Sequence, residues 1–347
     1  MPPTPFNDTF LRACRKQAVD RIPVWYMRQA GRYQPEYRAI KANLTLLDIV
    51  KRPDLCAEVT LLPVKQLGVD AAILFSDIIT PIGAMGVPFE IRDGVGPHTD
   101  APVRTAADVA RVQVPDFAAT IPYVGETIKR LRTALHVPLI GFCGAPFTLA
   151  CYMIEGGPSK QYAHVKGLMY GDTLLWHRFM ETLTAGMIAY LKFQAASGAQ
   201  ALQVFDSWVG QLSKEDYDSY VLPHMRTLLT EVRRETKVPL LHFGVGTGHL
   251  LESLRAAGGD VIGLDWRVDL ASAWWRLGYM AVQGNLDPSL LLGPWELVAE
   301  RAQKILAQVD HPGFIFNLGH GVLPQPPVDS LRRLTQLVHA WKVKTPD

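Results

Sequence analysis

The segment P-V-W-Y-M-R-Q-A-G-R-Y, at residues 23–33, begins as an apolar run and ends in a loop that carries Arg28 and Arg32. The apolar, β-prone residues predict a buried strand, and the arginines follow where that strand ends. A guanidinium keeps its proton and presents a planar fork of donors that matches a carboxylate or a phosphate. A surface ion pair would also explain two arginines. Their place at the strand exit, with Gly31 between them, favours the binding of an anion.

An apolar run followed by a polar residue or a glycine recurs along the whole chain. Eight such runs are found, at residues 23–27, 71–75, 137–142, 201–205, 238–243, 261–265, 279–284 and 314–318. Most of them are continuously apolar rather than alternating, which is typical of parallel strands that are covered on both faces. Patterns with helical spacing lie between them, among them residues 124–135, 173–196 and 248–257.

Eight strands that alternate with helices predict one (β/α)8 barrel, also called a TIM barrel, as a single domain over residues 1–347. An open, doubly wound sheet is the alternative. The number of runs favours the barrel. The strand exits favour it too, because barrel enzymes build their sites from the loops at the C-terminal ends of the strands. The residues at the eight exits are Arg28, Asp77, Gly144, Asp206, Gly244, Asp265, Asn285 and His320.

The composition excludes several classes of protein. The chain has 347 residues, of which 48% are hydrophobic and 20% are charged, so it can bury a large core and shows no sign of disorder. A formal net charge of +2 does not favour nucleic acid or a membrane surface as a partner. The sequence has no signal-peptide pattern, no apolar run near the ~20 residues of a membrane helix and no metal-binding spacing among its cysteines. We therefore expect a soluble, cytoplasmic protein without a metal.

Asp77 follows the second apolar run, in the segment L-F-S-D-I-I at residues 74–79. A carboxylate at this place caps a helix, binds a metal, acts as a base or accepts hydrogen bonds from a ligand. A divalent metal needs further carboxylates or histidines, and although Asp206 and Asp265 are available, their spacing does not recommend them. The other three roles stay open.

Three further polar residues are candidates for a site. Tyr152 is in a predicted apolar helix that ends at a glycine pair, Ser207 is in F-D-S-W, and His320 stands between two glycines. Each has a structural explanation as a local hydrogen-bonding group, and each is also placed to touch a ligand. No G-x-S-x-G elbow surrounds Ser207, which argues against a hydrolase nucleophile. The segment F-G-V-G-T-G-H-L, at residues 243–250, has His249 where a dinucleotide loop has its third glycine, and it predicts a tight turn instead.

Five segments, taken in order along the chain, carry a resemblance to a known family. They are P-V-W-Y-M-R-Q-A-G-R-Y, L-F-S-D-I, G-A-P-F-T-L-A-C-Y-M-I-E-G, F-D-S-W and N-L-G-H-G. Together they resemble the uroporphyrinogen decarboxylase family of haem biosynthesis, over essentially the whole chain. The resemblance implies a (β/α)8 barrel, a homodimer and no metal or organic cofactor. It also implies conversion of uroporphyrinogen III to coproporphyrinogen III, in which four acetate side chains become methyl groups and four molecules of carbon dioxide leave.

The same resemblance implies which residues bind the substrate. They are Arg28, Gln29, Ala30, Gly31, Arg32, Asp77, Tyr152, Ser207 and His320. The expected catalytic residues among these are Arg28, Arg32, Asp77 and Tyr152. An ionised Asp77 would accept hydrogen bonds from the pyrrole N–H groups, while the arginines and His320 hold carboxylates. The protonated pyrrole serves as the electron sink, and the proton donor stays open between an arginine, Tyr152 and water.

Two other functions are weighed against this one. Zinc-dependent methyltransferases of the same superfamily use a His-x-Cys pair after the fifth strand, where this chain has His242, Phe243 and Gly244. A non-catalytic tetrapyrrole carrier would use the same arginines. Asp77 discriminates between carrier and enzyme, because a carrier needs no group that stabilises a cation.

Overall fold

Seven short parallel strands form the central sheet of the structure, a computed structural model that describes residues 5–92 and 96–342. The strands of the chain are β1 (Ala72–Ile73), β2 (Glu90–Arg92), β3 (Gly96–His98), β4 (Leu139–Gly144), β5 (Ala201–Asp206), β6 (Leu240–Gly244), β7 (Val261–Gly263), β8 (Ala281–Leu286) and β9 (Phe314–Leu318). The order across the sheet is β1-β4-β5-β6-β7-β8-β9, and β2 and β3 form a separate antiparallel hairpin. All residues of β4 and β6 are buried, as predicted for parallel strands that are covered on both faces.

The first predicted strand, residues 23–27, is not a regular strand. It makes one isolated parallel bridge, between Val24 and Phe316 of β9. On its other side, the Val24 carbonyl accepts the Asp70 N–H at 2.8 Å, just before β1 begins. The segment therefore joins the two edges of the sheet and takes the eighth position of a (β/α)8 barrel. The predicted fold is confirmed, whereas the prediction of a regular strand at this position is wrong.

Side chains replace the ladder bonds that residues 23–27 lack. The buried Asp70 carboxylate accepts the Val24 N–H at 2.9 Å. Arg21 and His339 each bind the same carboxylate at 2.6 Å. Burial alone would raise the pKa of Asp70, but the hydrogen bonds from these three partners, His339 first, outweigh burial and lower that pKa. An ionised carboxylate thus holds the segment in the barrel.

A row of polar side chains crosses the interior of the barrel. The Trp25 indole N–H donates to the Gln283 Oε1 at 2.8 Å, and the Gln283 Nε2 donates to the Gln203 Oε1 at 3.1 Å. Gln203 is on β5 and Gln283 is on β8, and β6 and β7 separate these strands in the sheet. Their side chains therefore meet because the sheet curls around on itself. Because side chains alternate along a strand, Phe205 faces the interior as Gln203 does.

Helices connect the strands. They are α1 (Thr9–Cys14), α2 (Pro35–Lys41), α3 (Leu46–Val50), α4 (Pro53–Leu67), α5 (Thr80–Ala84), α6 (Ala106–Arg111), α7 (Phe117–Thr120), α8 (Pro122–Ala134), α9 (Pro146–Glu155), α10 (Ala163–Gly171), α11 (Thr173–Ser197), α12 (Lys214–Tyr220), α13 (Leu222–Thr236), α14 (Leu251–Ala257), α15 (Leu270–Arg276), α16 (Trp295–Leu306) and α17 (Val328–Ala340), with 3₁₀ turns at Val209–Gln211 and Pro288–Leu292. They also pack on one another, α11 on α13 and α4 on α8. None of the helices in the described ranges combines the length and the apolar character that crossing a membrane requires.

The ends of the predicted elements shift by a few residues. β9 spans the predicted residues 314–318, and α11 extends the predicted helix at 173–196 by one residue. α14 begins at Leu251 rather than at residue 248, because the Leu250 N–H donates to the Thr247 carbonyl at 2.8 Å in the tight turn that the glycines predict. The hairpin of β2 and β3 has no counterpart among the predicted elements.

Candidate active site

Gln29 holds the loop that carries the two arginines. Its side chain is fully buried, the Oε1 accepts the Tyr26 N–H at 3.1 Å, and the Nε2 donates to the Ala71 carbonyl at 3.1 Å. Gln29 is one of the predicted substrate-binding residues, yet its side-chain amide makes hydrogen bonds within the protein. Arg28 and Arg32 on either side of it are exposed. The buried amide therefore fixes the backbone from which both guanidiniums project.

The loop that carries Arg28 meets the loop that follows β9. The Met27 carbonyl accepts the Val322 N–H at 2.8 Å. A Cβ at Gly321 would lie only 2.4 Å from the Arg28 Cδ, so a glycine is required where the arginine side chain passes. The backbone of Arg28 is left-handed, with φ of 57°, which costs a residue with a Cβ about 1–2 kcal/mol. The contacts around it hold the arginine in this position.

His320 lies on the same loop and is a neutral hydrogen-bond donor. Its Nδ1 accepts the Gly321 N–H at 2.6 Å, so in the neutral ring the proton is on Nε2. Burial, followed by the guanidiniums of Arg28 and Arg267, lowers the pKa of His320 to about 4. The expectation that His320 contacts carboxylates is compatible with this state, but the free protein offers an N–H there rather than a cation.

Asp77 follows β1 and is half-buried. Its Oδ1 accepts the Ile79 N–H at 3.1 Å in a turn that leads into α5. Burial raises the pKa of Asp77, while the Ile79 N–H and the Arg28 guanidinium offset part of this rise. Asp77 can stabilise this turn and bind a ligand at the same time, because a carboxylate has about four lone-pair sites and the N–H groups of the turn occupy only part of them.

Tyr152 is on α9, and its half-buried ring packs against Trp208 with 6.0 Å between ring centroids. Burial, followed by the negative charge of Asp77, raises the pKa of Tyr152 to about 12. The phenol therefore keeps its proton at neutral pH and can donate a hydrogen bond.

Arg28 connects these groups electrostatically. Its positive charge acts to lower the pKa of Asp77, of Tyr152 and of His320. Asp77 follows β1, Tyr152 is on α9 after β4, and His320 follows β9, where the Arg28 side chain packs against Gly321. Four of the predicted site residues therefore lie at the C-terminal ends of the strands, on the Arg28 loop and on the segments that follow β1, β4 and β9.

Ser207 and Asp206, at the end of β5, differ in their surroundings. Ser207 is half-buried, whereas Asp206 is fully buried and its Oδ1 accepts a hydrogen bond from the Thr148 hydroxyl at 2.8 Å. The Asp206 Oδ2 lies 3.8 Å from the Nε2 of the buried His242. Because Thr148 is on α9, Asp206 faces the helices and not the interior of the barrel. Asp206 is therefore an exit residue of the sequence pattern that does not face the site.

Arg32 is exposed. Burial raises the pKa of Tyr37, and the positive charge of Arg32 offsets part of this rise. The Tyr37 ring packs against Phe75 with 5.5 Å between centroids. Since Phe75 comes two residues before Asp77, the Tyr37 ring lies near the exit of β1.

An aromatic wall formed by Phe142, Phe205 and Phe243 is absent from the sequence prediction. The ring centroids are 5.4 Å apart between Phe142 and Phe205 and 6.1 Å apart between Phe205 and Phe243. The wall ends at His320, whose ring centroid is 6.4 Å from that of Phe243. A signal for it exists in the sequence, because each of three successive apolar runs has a phenylalanine near its end.

No group of three or more His, Cys, Asp and Glu side chains within residues 5–92 and 96–342 is arranged to hold a metal. All four cysteines are buried, and burial raises the pKa of each thiol. Such thiols are weak nucleophiles and weak ligands. The site therefore offers a carboxylate, guanidiniums, an imidazole N–H and a phenol, beside an apolar wall.

Comparison with known proteins agrees with the resemblance of the motifs. The sequence model of the family described as uroporphyrinogen decarboxylase matches residues 5–341. The uroporphyrinogen decarboxylase of Halalkalibacterium halodurans is 53% identical over 338 residues, which is 97% of this chain and 98% of that protein. Those of Thermus thermophilus, at 52% over 335 residues, and Bacillus subtilis, at 50% over 338 residues, cover 96% and 97% of this chain and 97% and 96% of their own lengths.

Among solved structures, a methyltransferase from Methanosarcina mazei is similar in fold. The TM-score is 0.81, and the match covers 97% of this chain and 98% of that one at 18% sequence identity. At this identity the likeness concerns the architecture alone.

Proposed function

The chain belongs to the uroporphyrinogen decarboxylase family, the carboxy-lyases of porphyrin and haem synthesis, and we propose that its site at the strand exits decarboxylates uroporphyrinogen III. Four acetate side chains become methyl groups, and the products are coproporphyrinogen III and four molecules of carbon dioxide. The observation that carries the proposal is the placement of Arg28 against the His320 loop, with Asp77 and Tyr152 after neighbouring strands at the same end of the barrel. An acceptor surrounded by donors and cations matches a macrocycle with inward N–H groups and a rim of carboxylates.

Asp77 binds the centre of the substrate. Its carboxylate accepts hydrogen bonds from the pyrrole N–H groups, and these donors favour the ionised form against the burial that raises its pKa. Arg28 and Arg32 bind carboxylates at the rim, where each charge-assisted hydrogen bond contributes roughly 1.5–3 kcal/mol. His320 adds its Nε2–H, and the aromatic wall packs against the apolar parts of the ring.

The substrate supplies the electron sink for decarboxylation. A proton added to a pyrrole carbon creates a cation, which takes up the electron pair of the breaking C–C bond as carbon dioxide leaves. The remaining methylene carbon is protonated to a methyl group, and the ring carbon returns its proton, so each step consumes one proton. Asp77 stabilises the cation electrostatically. Because Tyr152 keeps its proton, it donates a hydrogen bond to the substrate rather than acting as a base.

We also propose that the chain is one domain and acts as a cytoplasmic homodimer without a metal or an organic cofactor. Bonds between residues 23–27 and both edges of the sheet support a single domain, since they link the two ends of the chain. The family resemblance supports the dimer. Light scattering of the purified protein tests the dimer, and its metal content tests the absence of a metal.

Incubation of the protein with reduced uroporphyrinogen III tests the activity. We expect hepta-, hexa-, penta- and tetracarboxylate products after oxidation and chromatography, with release of carbon dioxide. Asp77→Asn should lower turnover by about 100- to 1000-fold, the range for losing a group that stabilises transition-state charge. Uroporphyrin binding should change far less. Wild-type protein that binds the porphyrinogen and releases no carbon dioxide would be a carrier, and the proposal would then fail.

A further inference from the structure

The loop after β7 lies against the loop that carries His320. A Cβ at Gly319 would lie 2.3 Å from the Trp266 backbone nitrogen, so these backbones meet where only a glycine fits. The Trp266 ring is also 6.3 Å from the His320 ring, centroid to centroid. The residues that follow Trp266 are therefore neighbours of the site, although the sequence motifs do not include them.

Arg267 is held in this loop by two contacts. Its guanidinium carbon lies 3.9 Å from the centroid of the Trp266 ring, and its Nη1 donates to the Asp265 Oδ2 at 3.0 Å. Asp265 is itself buried and accepts the N–H groups of Gly246 and Arg267. The stacking on Trp266 and the bond to Asp265 already restrict the Arg267 side chain. It therefore loses less conformational entropy when it binds a ligand.

Much of the Arg267 guanidinium is left for a ligand. The side chain is 51% exposed, and only one of its five N–H donors is used by Asp265. Arg28 packs against Gly321, and Arg267 stacks on Trp266, whose ring is next to that of His320, so an anion that accepts the Nε2–H of His320 would have a guanidinium from each of two loops nearby.

We propose that Arg267 is a further substrate-binding residue, which holds a carboxylate of the tetrapyrrole beside His320. The inference rests on the proposed function, in which the substrate has eight carboxylates and Arg28 and Arg32 account for only some of them. The alternative is a purely structural role, in which Arg267 only neutralises Asp265.

The steady-state kinetics of Arg267→Gln with uroporphyrinogen III separate these roles. If Arg267 holds a carboxylate in both the ground state and the transition state, KM rises about tenfold while kcat changes less than about threefold. Arg233→Gln is the matched control. Arg233 is 52% exposed and binds Asp260 at 2.5 Å, and Asp260 precedes β7 just as Asp265 follows it. The control should keep the KM of the wild type.

A wild-type KM for Arg267→Gln overturns the inference. If Arg267→Gln unfolds at a lower temperature than the control, the KM of Arg267→Met is measured instead. The methionine side chain still packs on Trp266 but carries no charge. A raised KM in folded Arg267→Met supports the inference, and an unchanged KM overturns it. The proposed function fails separately, when the wild type itself forms no coproporphyrinogen.

Discussion

Thr148 links two residues behind the site, and its replacement tests how the site is held. Its hydroxyl donates to the Asp206 Oδ1 at 2.8 Å and accepts the Trp208 N–H at 3.3 Å. Thr148 and Asp206 are both fully buried. Within the described part of the chain the Asp206 Oδ2 has no hydrogen-bond partner, and the His242 Nε2 is 3.8 Å away. The carboxyl group therefore depends on the Thr148 hydroxyl.

We expect Thr148→Val to lower the free energy of unfolding by about 2–6 kcal/mol. The substitution leaves the Asp206 carboxyl oxygen and the Trp208 N–H without a partner, and each such group costs about 1–3 kcal/mol. Thr148→Ser is the matched control, because it keeps the hydroxyl and loses one methyl group, which costs about 1 kcal/mol. Urea unfolding followed by circular dichroism measures both variants.

The same substitution should lower turnover. Thr148 and Tyr152 are one helical turn apart on α9, and the Trp208 ring packs against Tyr152. Displacement of Trp208 therefore shifts the phenol, and a shift of this kind costs about tenfold or more in kcat. The reasoning is refuted if Thr148→Val is as stable and as active as the wild type, or if Thr148→Ser is damaged as strongly as Thr148→Val.

Two further predictions concern stability. Asp70→Asn should lower the free energy of unfolding by about 3 kcal/mol, because it weakens the ionic contacts that hold residues 23–27; urea unfolding measures this, and a wild-type midpoint would contradict it. His224→Gln should flatten the dependence of stability on pH. Burial, followed by the charge of His177, lowers the pKa of His224 from 6.5 to about 4. The unfolded chain thus takes up the proton first as the pH falls below 6.5, and the wild type loses up to about 3 kcal/mol between pH 6.5 and 4. Unfolding curves across this range should show a smaller loss in the variant, and equal losses would refute the assignment.

The predicted strand at residues 23–27 shows what a local pattern lacks. Its apolar residues indicate correctly that the segment is buried in the barrel wall. The regular ladder is replaced by partners that are distant in sequence, since Val24 bonds to the Asp70 carboxylate and Met27 bonds to the Asn317 side chain at 3.1 Å. The sequence of residues 23–27 does not predict these partners. The position of the segment in the fold was therefore predictable, but the loss of a regular strand was not.

The sequence also did not show whether each side chain at a strand exit faces the barrel interior or the helices. A continuously apolar run does not show which of its alternate residues face the interior, and β5 is buried along almost all of its length. The bond between Gln203 and Gln283 settles this, because it places Phe205 inside and Asp206 against α9. Arg267 was missed for a related reason, since its relevance depends on the contact between two loops that are distant in sequence.

The strain at Arg28 follows from the same arrangement. A left-handed arginine costs about 1–2 kcal/mol, and the buried Gln29 amide and the space left by Gly321 keep it there. In the proposed reaction the pyrrole is the electron sink, so the protein has to supply charges that are in position before the substrate binds. Electrostatic catalysis of this kind depends on preorganised groups. On this proposal, the strained Arg28, the Asp77 turn and the His320 tautomer each hold a polar or charged group in place before the tetrapyrrole binds.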